Sequence, residues 1–63
     1  MLEIDYHVRR SKLVSEFLFL KGKRLYRSAA ARVRKIAELD FEQCEIDRKK
    51  TLADFRYDEL IGK

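Results

Sequence analysis

His7 and Cys44 are the two side chains in this sequence whose types recur in metal and catalytic sites. Glu3 precedes His7 by four residues, so on a helix the two would lie one turn apart and could hold a metal ion where two copies meet. One histidine does not complete a zinc site within a chain, and we interpret His7 as structural. No histidine follows Cys44 to act as its base, so we interpret Cys44 as a small buried apolar residue near a turn.

The rest of the composition is also unlike that of an enzyme. The chain has 63 residues and two glycines, Gly22 and Gly62, which cannot form a glycine-rich phosphate loop. Helical hairpins lack the walls of a pocket of catalytic size. We therefore predict a non-enzymatic protein that uses no metal and no cofactor.

Helix is the expected conformation along almost the whole chain. Proline is absent, and residue types that favour helix are abundant. Residues spaced by three and four form one apolar face through the first half of the chain: Ile4, His7, Ser11, Val14, Leu18, Gly22, Leu25, Ala29, Val33 and Ile36. This pattern predicts an all-α fold, with one domain over residues 1–63 and a first helix over residues 6–37.

Gly22 lies within that face, and the face passes through it without losing phase. We therefore interpret Gly22 as a small residue that lets another helix approach closely. The alternative is that Gly22 caps a helix ending at Lys21, which would divide the chain into three helices.

The strongest turn signal lies at residues 38–40. Asp40 is a good N-cap residue, and Gln43 stands where a capping-box partner reaches back. Leu39 and Cys44 have the spacing of a hydrophobic staple. A second helix over residues 41–61 would complete a helical hairpin.

The chain has more large hydrophobic side chains than one hairpin can bury. Residues 17–20 are all apolar and point in four directions around a helix. We therefore expect two hairpins to form an antiparallel four-helix bundle, that is, a homodimer. The alternative is that scattered exposed hydrophobic residues need no partner. The predicted dimer core is Val14, Leu18, Gly22, Leu25, Ala29, Val33, Ile36, Phe41, Leu52 and Phe55. An unidentified protein partner is predicted to contact Phe19, Leu20, Arg27 and Tyr57.

Charge is divided unevenly along the chain. Residues 1–35 hold ten basic and three acidic side chains, whereas residues 36–63 hold five basic and eight acidic ones. Five cations fall opposite the apolar face of the first helix: Arg9, Lys12, Lys23, Arg27 and Arg34. One interpretation is a solvated face whose charge complements the acidic helix beside it. The alternative is a surface that contacts the phosphates of nucleic acid.

No segment approaches the length needed to span a bilayer, and no signal peptide is recognisable. We therefore expect an intracellular protein, which would reside in the host cytoplasm if the source is viral. The chain is rich in charge, has no Asn and has one Gln, a composition typical of thermophilic proteins.

The self-pairing hairpin and the segment Leu25-Tyr26-Arg27-Ser28 resemble the Rop family of plasmid RNA-binding regulators, which are dimeric four-helix bundles. That segment lies in the first predicted helix here and in the second helix of the family, so no RNA-contacting residue is carried over. In size, layout and composition the whole chain is similar to the small helical-hairpin proteins of fuselloviruses, the spindle-shaped viruses of archaea from hot acid. The resemblance implies a dimeric four-helix bundle with an adaptor role, and it supplies no site residues.

Overall fold

The computed structural model describes residues 2–62, with side chains from residue 4 onward. It contains four helices: α1 (Leu2–Gly22), α2 (Tyr26–Cys44), α3 (Arg48–Asp54) and α4 (Tyr57–Ile61). Helix accounts for 85% of the described part of the chain, which has no strand, so the all-helical class is confirmed. The layout is that of a hairpin: α1 packs along α2, and α3 and α4 fold back onto α2.

The first turn lies at residues 23–25, where the sequence predicts uninterrupted helix. Arg24 adopts the left-handed conformation with φ of 61°. The backbone N–H of Leu25 bonds to the carbonyl of Leu20, and that of Arg24 bonds to the carbonyl of Lys21, which is the Schellman pattern. The predicted helix over residues 6–37 is therefore wrong, because these hydrogen bonds end α1 just after Gly22. The left-handed cap residue is Arg24 rather than glycine.

The predicted turn at residues 38–40 is also wrong, since these residues lie inside α2. The chain turns at residues 45–47, where Glu45 is left-handed with φ of 56°. Asp47 is the N-cap of α3, and its Oδ1 accepts a 2.8 Å hydrogen bond from the backbone N–H of Lys49. The predicted second helix over residues 41–61 is accordingly divided among the end of α2, α3 and α4.

A small apolar core lies where α1, α2 and α4 meet. Its buried members are Phe17, Ala29, Ala30, Val33 and Leu60. The Phe55 ring meets the Phe17 ring edge to face, with centroids 5.2 Å apart. Since Phe55 follows α3 directly, the returning segment covers one side of the α1–α2 hairpin.

The first turn also changes which side of α1 faces inward. Tyr6, Arg10, Leu13, Phe17 and Leu20 are the half-buried or buried residues on the inner side of α1. Within the apolar face that the sequence predicts, the α2 members Ala29, Val33 and Ile36 are buried, but most of the α1 members are exposed. The predicted apolar face is therefore correct in α2 and wrong in α1. A turn separates the two helices, so the residues that face inward in one helix do not fix which residues face inward in the other.

Gly22 does not mediate close helix packing within the chain. A Cβ atom added there would meet no atom within 4 Å. Gly22 therefore permits no close approach of another helix within the chain, and its role between two copies stays a prediction. Cys44 is exposed at the last residue of α2, so the prediction that it is buried is wrong.

Candidate functional site

The side of α1 that faces away from α2 carries no charged residue. It consists of six residues, all exposed, and we call it the outer face of α1: Ile4, Val8, Ser11, Ser15, Leu18 and Gly22. At 3.6 residues per turn these six positions fall within about 80° of one another around the helix. Ile4, Val8 and Leu18 are 64%, 63% and 58% exposed. No described residue of the chain covers this face.

Steps along the outer face alternate between four and three residues. A four–three alternation repeats every seven residues, which is the heptad spacing of a helix that pairs with another helix in a left-handed coiled coil. Sequence reasoning missed this pattern because the predicted apolar face of a single long helix includes His7 and Val14, where the outer face has Val8 and Ser15.

A second surface is the open groove between α1 and α2 on the side that α3 and α4 leave uncovered. Its volume is about 740 Å³. Helix α1 contributes one row of side chains, Arg9, Lys12, Leu13 and Glu16, and α2 contributes another, Ala31, Arg32, Arg34, Lys35, Glu38, Leu39 and Glu42. We call this the α1–α2 groove. Its floor is apolar and its edges are charged.

The charges at the groove edges are unequal. Two of its carboxylates are already engaged: Glu16 Oε1 lies 2.9 Å from Arg32 Nε, and Glu38 pairs with Arg48 of α3. Arg9, Lys12, Arg34 and Lys35 form no ion pair within the part of the chain that the structure describes. The groove therefore presents surplus positive charge around an apolar floor.

A smaller depression of about 330 Å³ continues the groove past the Glu16–Arg32 pair. Phe19 and Leu20 line it, together with Ser15. Phe19 is 64% exposed, and Lys23 Nζ lies 5.6 Å from the centre of its ring. Two of the predicted partner contacts thus lie together beside the groove.

The other predicted contacts are dispersed. Arg27 is exposed in the first turn of α2, and Tyr57 is half-buried against the core at the start of α4. Of the five predicted nucleic-acid contacts, Arg9, Lys12 and Arg34 line the groove, whereas Lys23 and Arg27 lie near the first turn.

The predicted dimer-core residues also divide into groups. Ala29, Val33 and Ile36 are buried within the chain itself, and Val14, Leu52 and Phe55 are half-buried. The remaining four are exposed: Leu18, Gly22, Leu25 and Phe41. The Phe41 ring is partly covered by the guanidinium of Arg48, which lies 4.0 Å from its centre.

A buried carboxylate, Asp40, ties three helices together. Its Oδ1 accepts hydrogen bonds from Tyr6 Oη at 2.7 Å and Arg10 Nε at 3.0 Å, and its Oδ2 accepts from Thr51 Oγ1 at 3.0 Å and Arg10 Nη2 at 3.3 Å. Asp40 is 2% exposed. The signal in the sequence that could have revealed this network is Arg10, a cation on the inner side of α1.

Electrostatics keep this carboxylate ionised. Burial alone would raise the pKa of Asp40, but hydrogen bonds from Arg10, Tyr6 and Thr51 outweigh burial and hold the pKa below its ordinary value. Burial and the hydrogen bond to Asp40 raise the pKa of Tyr6. Because four hydrogen bonds occupy both carboxylate oxygens, Asp40 has no position left for a substrate, and we assign it a structural role.

His7 and Cys44 do not come together as a reactive pair. His7 is exposed, and its ring lies 5.2 Å from that of Tyr6 in a tilted arrangement. The side chain of Glu3, with which it would share a metal ion, lies outside the described residues. Elsewhere in the described range, no three His, Cys, Asp or Glu side chains are grouped so that they could hold a metal ion.

No protein-family model, no curated protein and no solved structure matches this chain. The described helices include none with both the length and the apolar character that crossing a membrane requires. Two surfaces of α1 are the candidates for a functional site: the outer face and the α1–α2 groove.

Proposed function

We propose that the protein is a non-enzymatic interaction module that acts as a homodimer, with two copies paired antiparallel through the outer face of α1. The observation that carries this proposal is the heptad spacing of an exposed, uncharged helix face. Isolated exposed hydrophobic residues need no partner, but three of them, Ile4, Val8 and Leu18, on one uncharged face of a 21-residue helix favour one.

The positions of the outer face are symmetric about residue 13. In an antiparallel pair, Ile4 therefore meets Gly22 of the second copy, Val8 meets Leu18, and Ser11 meets Ser15. Val8 and Leu18 then form an apolar contact, and the open space at Gly22 has room for Ile4. A parallel pair would place Gly22 against Gly22 and leave that end of the interface unfilled.

The helix dipoles also favour the antiparallel orientation. Antiparallel pairing opposes the dipoles of the two α1 helices, whereas a parallel pair would align them side by side.

The second copy has no equally suitable place on the rest of the hairpin. One side of the α1–α2 hairpin is covered by the chain's own α3 and α4, and the other is edged by four cations. Pairing through the outer face would instead place the four long helices of a dimer side by side. This arrangement differs from the stacked four-helix bundle that the sequence predicts.

The interface would be small. Two such helix faces bury on the order of 1,000 Å² in total, which is at the lower limit for a specific protein interface. We therefore expect a reversible dimer whose population depends on concentration. Each dimer would leave both α1–α2 grooves open, so it could join other macromolecules, as the adaptor role implied by the fuselloviral resemblance requires. An intracellular location stays a prediction.

Disulfide trapping tests the orientation. In a Cys44→Ser background, which removes the only cysteine, Ser11→Cys and Ser15→Cys variants are oxidised separately and as a mixture. The antiparallel register predicts efficient cross-linking in the mixture and little in either variant alone, because a disulfide needs Cα atoms within about 7 Å. Efficient cross-linking of each variant with itself would show parallel pairing and contradict the proposal.

Sedimentation equilibrium tests whether the face is used. Leu18→Glu places a charge within the proposed interface, opposite Val8 of the second copy. The Leu18 side chain is exposed within the chain, so helix content is expected to persist. Ile61→Glu is the matched control, because Ile61 is similarly exposed but lies on α4. We expect Leu18→Glu to be monomeric and Ile61→Glu to dimerise as the parent does. A monomeric parent at hundreds of micromolar would refute the proposal.

A further inference from the structure

The α1–α2 groove is a second site, distinct from the outer face of α1. Helix α1 supplies Arg9 and Lys12 to one edge, and α2 supplies Arg34 and Lys35 to the other. None of these four cations forms an ion pair with another described residue. Glu42 on the α2 edge also forms no such ion pair, but the four cations outnumber it, so a ligand with negative charge along both of its sides would complement the groove.

The floor of the groove is apolar. Leu13 of α1 and Ala31 of α2 are half-buried there, and the neighbouring depression adds the exposed ring of Phe19. From Arg9 to Phe19 the site extends along α1 for about 15 Å, which is the length of roughly three helical turns. Small molecules do not need a site of this length and openness, whereas a helix laid along the groove would fill it.

We propose that the α1–α2 groove binds an acidic amphipathic helix of a partner protein. Apolar residues of that helix, spaced by three and four, would lie on the floor, and carboxylates on both of its flanks would pair with the four cations. This inference rests on the interaction-module part of the proposed function and adds the chemistry of the partner. It does not require the dimer, because each chain contains a complete groove.

Nucleic acid and a second copy of this chain fit the groove less well. Phosphates would satisfy the cations but leave the apolar floor without a partner. A second copy presents the same surplus of positive charge, so two grooves placed face to face would repel each other. Both occupants are outcomes of the experiment below.

The probe is a synthetic helical peptide of about 14 residues with leucines spaced by three and four and glutamates on both flanks, followed by NMR of the isotope-labelled chain. A peptide in which every glutamate is replaced by lysine serves as the ligand control. We expect the acidic peptide to shift the amide signals of Leu13, Phe19 and Ala31, and the lysine peptide to shift none. Absence of binding by the acidic peptide at millimolar concentration would overturn the proposal.

Charge reversal identifies the site on the protein. The groove variant combines Arg34→Glu with Lys35→Glu. The control variant combines Lys49→Glu with Lys50→Glu on α3, outside the groove, and changes the net charge of the chain by the same amount. All four side chains are exposed, so both variants are expected to fold. We expect the groove variant to bind the peptide at least about tenfold more weakly and the α3 variant to bind within about twofold of the parent. Equal weakening in both variants would mean that net charge alone is recognised, which overturns the proposal.

Two further arms separate this inference from its alternatives. A double-stranded oligonucleotide that binds more tightly than the peptide and displaces it from the groove would favour nucleic acid and overturn the proposal. Loss of self-association in the variant that combines Arg34→Glu and Lys35→Glu would show that a second copy occupies the groove, which would also overturn the proposal. Leu18→Glu, which is designed to disrupt the dimer, should retain peptide binding, so failure of one proposal is distinguishable from failure of the other.

Discussion

The guanidinium of Arg10 donates two hydrogen bonds to the buried carboxylate of Asp40, from Nε to Oδ1 at 3.0 Å and from Nη2 to Oδ2 at 3.3 Å. This pair joins α1 to α2 thirty residues apart in the chain. Thr51 extends the connection to α3 through Oδ2. Together with the apolar core, this carboxylate therefore sets the relative positions of the three helices and hence the shape of the α1–α2 groove.

Removing Arg10 should destabilise the protein strongly. Arg10→Met leaves the Asp40 carboxylate buried without its cation, and we expect a loss of about 3 kcal/mol in the free energy of unfolding. Urea denaturation followed by circular dichroism measures this change. Arg9→Met, one residue away and exposed, is the control and should change stability by less than about 0.5 kcal/mol. Equal losses in the two variants would contradict the role assigned to Arg10.

Stability should fall in acid because of Asp40. Its pKa is lower in the folded chain than in the unfolded one, so ionised Asp40 stabilises the fold above the unfolded pKa of about 3.9. That stabilisation is lost as the pH falls through the folded pKa. An NMR titration of the Asp40 carboxyl carbon should give a midpoint below pH 3.9, and a midpoint at or above that value would contradict the network.

Stability should also fall in alkali, because of Tyr6. Burial and the hydrogen bond to Asp40 raise its pKa in the folded chain. The protonated hydroxyl therefore stabilises the fold fully below the unfolded pKa of about 10, and this contribution disappears as the pH rises toward the folded pKa. In a titration of tyrosinate absorbance, Tyr6→Phe should abolish the phase that appears last. If that phase persists in the variant, it belongs to another tyrosine.

Glycine at position 24 should stabilise the chain. Arg24 holds a left-handed conformation that costs an L-residue about 1 kcal/mol or more, and glycine adopts it without that penalty. After the larger entropy of the unfolded glycine is subtracted, we expect Arg24→Gly to add about 0.5 kcal/mol. Arg27→Gly, inside α2, is the comparison and should remove about 1 kcal/mol. Thermal unfolding measures both, and a destabilised Arg24→Gly would show that the Arg24 side chain matters more than its backbone.

Gly22→Ala should separate folding from self-association. A Cβ atom there meets nothing within the chain, and alanine favours helix over glycine by about 1 kcal/mol, so we expect a more stable protomer. In the proposed dimer, however, the added methyl group would meet Ile4 of the second copy. Sedimentation should therefore show weaker self-association even though the melting temperature of the dilute protein rises. Unchanged association would argue against the proposed register.

The position of the second turn was not predictable from local signals. Asp40, with Gln43 three residues later, has the pattern of an N-cap, yet its side chain binds Arg10, Tyr6 and Thr51 from other elements. Asp47 performs the capping instead. A cap signal depends on a few neighbouring residues, and an aspartate that finds buried partners far away in the chain no longer follows that signal.

The groove was only partly predictable. The sequence identifies Arg9, Lys12 and Arg34 as members of a basic surface, but it assigns them to one continuous helix together with Lys23 and Arg27. The break at residues 23–25 folds α1 back onto α2, and this brings Arg9 and Lys12 of one helix opposite Arg34 of the other. No spacing rule within a single helix describes such a surface.

The helical class of this protein was determined by its sequence, because helix propensity and the absence of proline act within a few residues of each position. Tertiary structure decided where the helices end and which side of α1 faces inward. Those features depend on contacts between distant residues, such as Phe17 with Phe55 and Arg10 with Asp40. The free energies of such contacts exceed the free energy by which a single residue favours a turn at its own position.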